Sequence, residues 1–110
     1  MRDEPLNIED LGLQNKTRVL RLSGPLTIST LYKFQDMVRS DSTASLVLDF
    51  TNVPYVDSAG VGAMVGAYVR HQKAGHTVTL AGVSERVRNT LKVTQVDSFF
   101  TYTDSVPQVA

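Results

Sequence analysis

The sequence predicts a single α/β domain in which an N-terminal β-hairpin is followed by alternating helices and strands on one mixed sheet. Strand-like runs at Arg18–Leu22, Ser45–Phe50 and Thr77–Ala81 are separated by segments with helical periodicity. Such alternation favours parallel strands joined by crossover helices. A chain of 110 residues has the size of one domain. We assign residues 1–5 to a flexible tail and residues 6–110 to this domain.

The hairpin and the helix after it are predicted from turn and capping residues. Leu6–Leu13 predicts a weak strand, Asn15–Lys16 predicts a turn, and the run that follows predicts a strand with one wet face. Gly24–Pro25 ends that strand. A helix should come next, and Thr27 and Ser29 are its candidate caps. The apolar stripe of this helix consists of Leu31, Phe34, Met37 and Val38.

The second half of the chain carries further boundary signals. Gly75 fits the C-cap of a central helix, Ser84 fits the N-cap of a third helix, and Phe99–Tyr102 predicts a last strand. Thr103–Asp104 can cap a short terminal helix, which Pro107 permits if it lies in the first turn. The apolar positions of the third helix are Val87 and Leu91.

The stretch around Ser58 lies where the central strand pattern stops and the longest helical pattern begins. Pro54 prevents a further ladder hydrogen bond, and Asp57 and Ser58 are both N-cap residue types. The Ser58 hydroxyl is therefore predicted at a helix N-terminus, where the helix dipole tolerates the negative charge of a phosphate. The alternative is that Ser58 serves only as a cap.

The central helix has two contrasting faces when it is projected at about 100° per residue. The small-residue stripe ends in Arg70 and Lys73, so we predict that it faces outward. An exposed mid-helix glycine costs about 1 kcal/mol relative to alanine, and two of them suggest the close approach of another backbone. The alternative is that a neighbouring element of the same domain covers the stripe. The predicted buried face is Val61, Met64, Val65, Tyr68 and Val69. The predicted stripe is Ala59, Gly62, Ala63, Gly66 and Ala67.

Composition excludes several classes of function. The formal net charge is zero, so nothing drives the whole protein toward nucleic acid or an anionic membrane. The longest apolar-rich stretch is too short to span a bilayer, and the N-terminus does not resemble a signal peptide. The chain has no cysteine, which is compatible with a reducing cytoplasm. We therefore expect a cytoplasmic protein without membrane insertion.

Motif spacing also argues against catalysis. Gly60–Gly62 followed by Gly66 does not have the spacing of a dinucleotide-binding loop, and no phosphate-binding GxxxxGK[ST] loop occurs. Ser58 lacks the upstream glycine of a hydrolase nucleophile elbow. His71 and His76 are separated by a helix stop, so we expect surface residues rather than metal ligands. The sequence predicts no enzyme activity, no cofactor and no metal.

The segment Val53–Gly62 resembles the phosphorylation-site motif of STAS domains, specifically that of the stand-alone anti-sigma factor antagonists. Arg18–Gly24 resembles the early strand of that family, which ends in glycine. Ala74–Gly75 resembles the helix stop before its next strand, and Ser84–Val96 resembles its third helix. The resemblance covers roughly residues 6–104.

This resemblance implies a partner switch. In the family, the unmodified antagonist binds an anti-sigma factor that is also a serine kinase of the ATP-lid class, which frees the sigma factor. The kinase then phosphorylates the motif serine and releases the antagonist, and a serine phosphatase restores it. By position, Ser58 is the phosphoacceptor. The expected partner-binding residues are Asp57, Ala59, Gly60, Gly62, Ala63, Gly66 and Thr27.

Two departures from the family pattern bear on this hypothesis. Thr27 stands where the family has an aspartate, and Gln95 stands where the family commonly turns with glycine. Two other roles would keep the same fold. One is a non-switching STAS scaffold subunit of a stressosome-like assembly, and the other is a cytoplasmic STAS accessory of a lipid or anion transport system. An enzyme is a third alternative. The sequence predicts no oligomeric state.

Overall fold

A mixed sheet with strand order β1-β2-β3-β4-β5 organises the computed structural model of the protein, which describes residues 4–106. The hairpin strands β1 and β2 are antiparallel, and every other neighbouring pair is parallel. The strands are β1 Asn7–Gln14, β2 Thr17–Ser23, β3 Ser45–Asn52, β4 Thr77–Ala81 and β5 Thr101–Thr103. The predicted mixed sheet and hairpin are confirmed.

The helices α1 Leu31–Ser40, α2 Ser58–Lys73 and α3 Glu85–Val93 connect the parallel strands. Right-handed crossovers between sequentially adjacent strands place all such helices on one face of the sheet. The main core accordingly lies between the helices and that face. Its fully buried members include Leu20, Leu48, Leu80, Phe34, Met64 and Leu91. Burying each of these side chains stabilises the fold by about 1.5–3 kcal/mol relative to exposure.

Residues in the left-handed region form several of the turns. Asn15 (φ 53°) and Lys16 (φ 67°) make the two-residue turn between β1 and β2, as predicted. Gln95, where the family commonly has glycine, has φ 63° just beyond α3, so it adopts the conformation for which glycine is favoured. Gly75 (φ 77°) follows α2, where the His76 amide donates to the carbonyl of His71 at 2.8 Å. This Schellman arrangement ends the helix.

Two element ends differ from the prediction. The helix α1 is capped by neither Thr27 nor Ser29; Thr30 occupies the N-cap position, and its hydroxyl accepts from the Thr27 amide at 2.9 Å. The predicted last strand Phe99–Tyr102 is wrong in its bounds, because a 3-10 turn at Asp97–Phe99 precedes β5. The short turn buries Phe100 in the core, which a straight strand pattern does not anticipate.

The predictions for the two chain ends fall partly outside the described residues. Of the predicted tail, residues 1–3 lie outside, whereas the Pro5 carbonyl lies against Gly24, where an added Cβ would stand 2.2 Å from its oxygen. The terminal helix predicted after Thr103–Asp104 would extend into residues 107–110, which are also outside.

His71 contradicts the expectation of a surface residue. Its side chain is 2% exposed, and Nε2 lies 2.9 Å from the Asp41 carboxylate while Nδ1 lies 3.0 Å from the Ala67 carbonyl oxygen. Asp41 also binds the Arg18 guanidinium at 3.2 Å and accepts from the Thr43 hydroxyl. The partner acid precedes His71 by 30 residues, so no local pattern indicates the pair. The pair fastens the C-terminal end of α2 to the α1–β3 loop.

Candidate functional site

The site is built on the turn that joins β3 to α2. At the end of β3, the buried Asp49 carboxylate accepts from the Thr51 amide at 3.0 Å and from the Arg21 guanidinium at 2.9 Å. Burial by itself raises the pKa of Asp49, but hydrogen bonds from Thr51 and from Arg21 outweigh it, so the pKa is held below its usual value. Val53 and Val56 are buried beyond the strand, so the turn leaves the sheet in a fixed direction.

Asp57, rather than Ser58, is the N-cap of α2. Its Oδ1 accepts from the Gly60 amide at 2.8 Å, and its Oδ2 accepts from the Ile28 amide at 3.0 Å. One carboxylate therefore caps the helix and holds the β2–α1 loop at the same time. A side-chain cap of this kind stabilises a helix by about 1 kcal/mol.

Ser58 is the first residue of α2, and it is exposed. Within residues 4–106, the Ser58 hydroxyl has no hydrogen-bond partner, because Asp57 already satisfies the first-turn amide that a capping serine would take. The alternative in which Ser58 serves only as a cap is therefore wrong. The hydroxyl is accessible at the positive end of the helix dipole.

The β2–α1 loop is bound along its length to the turn before Ser58. The Leu26 amide donates to the Tyr55 carbonyl at 3.3 Å, and the Asp57 amide donates to the Leu26 carbonyl at 3.2 Å. Gly60 lies directly beneath this contact, since a Cβ there would stand 2.1 Å from the Leu26 carbonyl oxygen. Gly60 is also buried. Glycine is therefore required at position 60 for packing within the domain. This corrects our expectation that Gly60 contacts a partner at the surface.

The predicted outward stripe of α2 is wrong for two of its members. Ala63 and Ala67 are only 6% and 4% exposed, and they face α1. The alternative, in which a neighbouring helix covers the stripe, holds for these two residues. A cavity of about 190 Å³ remains along this helix pair. Its lining residues are Phe34, Gln35, Val38, Arg39, Ala63, Gly66, Ala67 and Arg70.

The open face of α2 instead follows Ser58, Gly62 and Gly66, which are four residues apart and exposed. Among the described residues, no neighbouring atom lies within 4 Å of where a Cβ would stand at either glycine. Ala59 is half-buried at the edge of this face. Of the predicted buried face, Val61 and Met64 are buried, Val65 and Tyr68 are half-buried, and Val69 is 37% exposed. The buried face of α2 is thus rotated relative to the prediction, because α1 packs on Ala63 and Ala67.

Thr27 lies near the site, as the resemblance implies. Its hydroxyl accepts from the Ser29 amide at 3.2 Å, and the next residue, Ile28, is the one bound by Asp57. Ile28 was not singled out in the sequence, although its side chain is 58% exposed. The only signal was an aliphatic residue inside a polar loop. Arg86 of α3 also reaches this turn; its guanidinium carbon lies 5.0 Å from the centre of the Tyr55 ring and so joins α3 to the turn.

Two further findings concern metal binding and membrane spanning. No cluster of His, Asp and Glu side chains suited to a metal ion occurs within residues 4–106. None of the helices in this part of the chain is both long enough and apolar enough to cross a membrane.

A family model for the STAS domain matches residues 10–109, and the chain therefore belongs to the STAS domain family. A curated relative, the anti-sigma-B factor antagonist of Staphylococcus aureus (strain NCTC 8325 / PS 47), is 28% identical over 92 residues. That match covers 81% of this chain and 84% of the relative. The resemblance inferred from the sequence is confirmed.

Solved structures show the same fold. The crystal structure of an anti-sigma factor antagonist from Mycobacterium paratuberculosis has a TM-score of 0.79 at 17% identity, covering 92% of this chain and 87% of that one. The anti-sigma factor antagonist SpoIIAA in its unphosphorylated form has a TM-score of 0.74 at 17% identity, covering 89% of each chain. The STAS fold is thus retained at low sequence identity.

Glycine substitutions should separate packing from surface on α2. Gly60→Ala should lower the free energy of unfolding by about 1–3 kcal/mol, because its Cβ would overlap the Leu26 carbonyl. Gly62→Ala is the matched control and should raise it by up to about 1 kcal/mol, because the site is open and alanine favours helix. Urea unfolding of the two variants measures both effects. A Gly60→Ala protein as stable as the wild type would contradict the packing role of Gly60.

Proposed function

We propose that the protein is a cytoplasmic anti-sigma factor antagonist that works as a phosphorylation-controlled partner switch. In its unmodified form it binds an anti-sigma factor that is also a serine kinase of the ATP-lid class. Phosphorylation of Ser58 releases the complex, and a serine phosphatase restores binding. The observation that carries this proposal is the exposed, unbonded Ser58 hydroxyl at the start of α2, next to the open face formed with Gly62 and Gly66.

The energetics favour release without unfolding. A phosphate adds about −1.5 to −2 charge at neutral pH, beside the existing Asp57 carboxylate. In the free domain this charge is exposed to water, and the helix dipole offsets part of the repulsion by about 0.3–1 kcal/mol. In a complex the same charge would be desolvated, and an unpaired buried charge costs about 3–5 kcal/mol. The penalty in the complex is the larger effect, so dissociation precedes any loss of the fold.

The geometry also fits a kinase substrate. A kinase must bring a hydroxyl against the γ-phosphate of its nucleotide, which requires an accessible serine in a defined place. Ser58 is accessible, and Asp57 on its N-terminal side is fixed by two hydrogen bonds. The small side chains at Gly62 and Gly66 leave room for the partner's surface beside it. The chain itself then acts as a binding protein and not as an enzyme.

Substitutions at Ser58 test the switch. Ser58→Glu should weaken binding to the anti-sigma factor kinase by about a hundredfold or more, whereas Ser58→Ala should bind and resist modification. Isothermal titration and mass spectrometry of the phosphorylated product measure these effects. Ser42→Glu is the matched control, since Ser42 is exposed on the loop before β3, whereas Ser58 follows the other end of that strand. Phosphate on Thr51 or Ser84 with Ser58 unmodified would overturn the proposal.

Thr27→Asp tests the departure from the family pattern. The new carboxylate can accept from the Ser29 amide as the Thr27 hydroxyl does, so the free energy of unfolding should change by less than about 0.5 kcal/mol. Because the substitution restores the charge that the resemblance implies, the rate of Ser58 phosphorylation should rise. Thr27→Asn is the uncharged control. Equal phosphorylation rates and affinities for the wild type and both variants would show that the departure is neutral.

A further inference from the structure

Ile28 is a large aliphatic residue exposed at the centre of the β2–α1 loop. Its side chain is 58% exposed. A single exposed apolar residue is ordinary on a protein surface and by itself indicates nothing. Ile28 differs from such a residue because its backbone is hydrogen-bonded to Asp57, the residue that precedes Ser58. The Ile28 amide donates to Asp57 Oδ2 at 3.0 Å.

The loop around Ile28 is held on both sides. On one side, Leu26 forms a parallel bridge with Val56 and exchanges backbone hydrogen bonds with the turn before Ser58. On the other side, the Thr27 carbonyl accepts from the amides of Thr30 and Leu31 at 3.0 and 2.9 Å. The Ile28 side chain is therefore presented to solvent from a fixed backbone. A side chain on a fixed backbone contributes more to affinity, because less conformational entropy is lost when the partner binds.

We propose that Ile28 is an apolar anchor for the same anti-sigma factor kinase that faces Ser58. This inference rests on the proposed function and adds a residue that determines affinity for the partner. The occupant follows from continuity, since Asp57 joins Ile28 and the first turn of α2 into one surface. The partner should present an apolar recess beside the position at which it receives the Ser58 hydroxyl.

The anchor explains how one surface can bind tightly and still be released. Burying an aliphatic side chain in a recess supplies affinity that does not depend on charge. A phosphate at Ser58 would then be forced into the desolvated surroundings of the anchor, where it is most costly. Affinity and release thus come from different atoms of one rigid surface.

The test is isothermal titration of the full chain against the anti-sigma factor kinase. Ile28→Ser should weaken binding by about tenfold to a hundredfold. Ile28→Val should retain most of the affinity. Val93→Ser is the matched control, because Val93 is 73% exposed at the end of α3, and it should bind as the wild type does. Thermal melts of the free variants should lie close to the wild type.

The outcomes separate this inference from the proposed function. If the wild type binds and Ser58→Glu releases it, but Ile28→Ser binds normally, only the anchor is overturned. If the wild type does not bind the kinase, both are overturned. Sedimentation of the free protein addresses a second copy of the chain as the occupant. If Ile28→Ser abolishes self-association and leaves kinase binding unchanged, the anchor for the kinase is likewise overturned.

Discussion

The Asp57 carboxylate is the interaction on which the site depends. Its two oxygens accept from two amides that are far from each other in the sequence. One is the amide of Gly60 in α2, and the other is the amide of Ile28 in the β2–α1 loop. Because Asp57 takes the capping position, the hydroxyl of the neighbouring Ser58 makes no hydrogen bond to any residue between 4 and 106. The close approach of the Leu26 carbonyl to Gly60 completes the arrangement, which no residue with a Cβ could permit without a shift.

The helix that carries Ser58 is fixed along its whole length. At its N-terminal end it packs on the β2–α1 loop, in its middle Ala63 and Ala67 pack on α1, and at its C-terminal end His71 binds Asp41. With respect to the described part of the chain, the remaining face of α2 is open to solvent, and that face begins at Ser58. In the proposed switch, a phosphate at Ser58 would change the charge of this surface without changing the shape of the domain.

Much of this could be predicted from the sequence because the signals are local. Strand alternation, the turn at Asn15–Lys16 and the polar pair at the start of α2 are patterns within a few residues. The burial of Ala63 and the pairing of His71 with Asp41 depend on which distant element packs against α2. Helical periodicity shows which residues share a face, but it does not identify the partner of that face. The position of Ile28 was not predicted for the same reason, since its hydrogen bond to Asp57 spans 29 positions of the chain.

Amide hydrogen exchange in Asp57→Ala tests the central claim most directly, namely that one carboxylate holds both segments of the site. The account predicts that the amides of Gly60 and Ile28 lose protection together, by about tenfold or more, which corresponds to about 1.4 kcal/mol. The Val87 amide, which donates to the Ser84 hydroxyl at 3.1 Å in α3, should keep its protection. If Gly60 loses protection while Ile28 keeps it, the loop is held by other contacts and the account is contradicted.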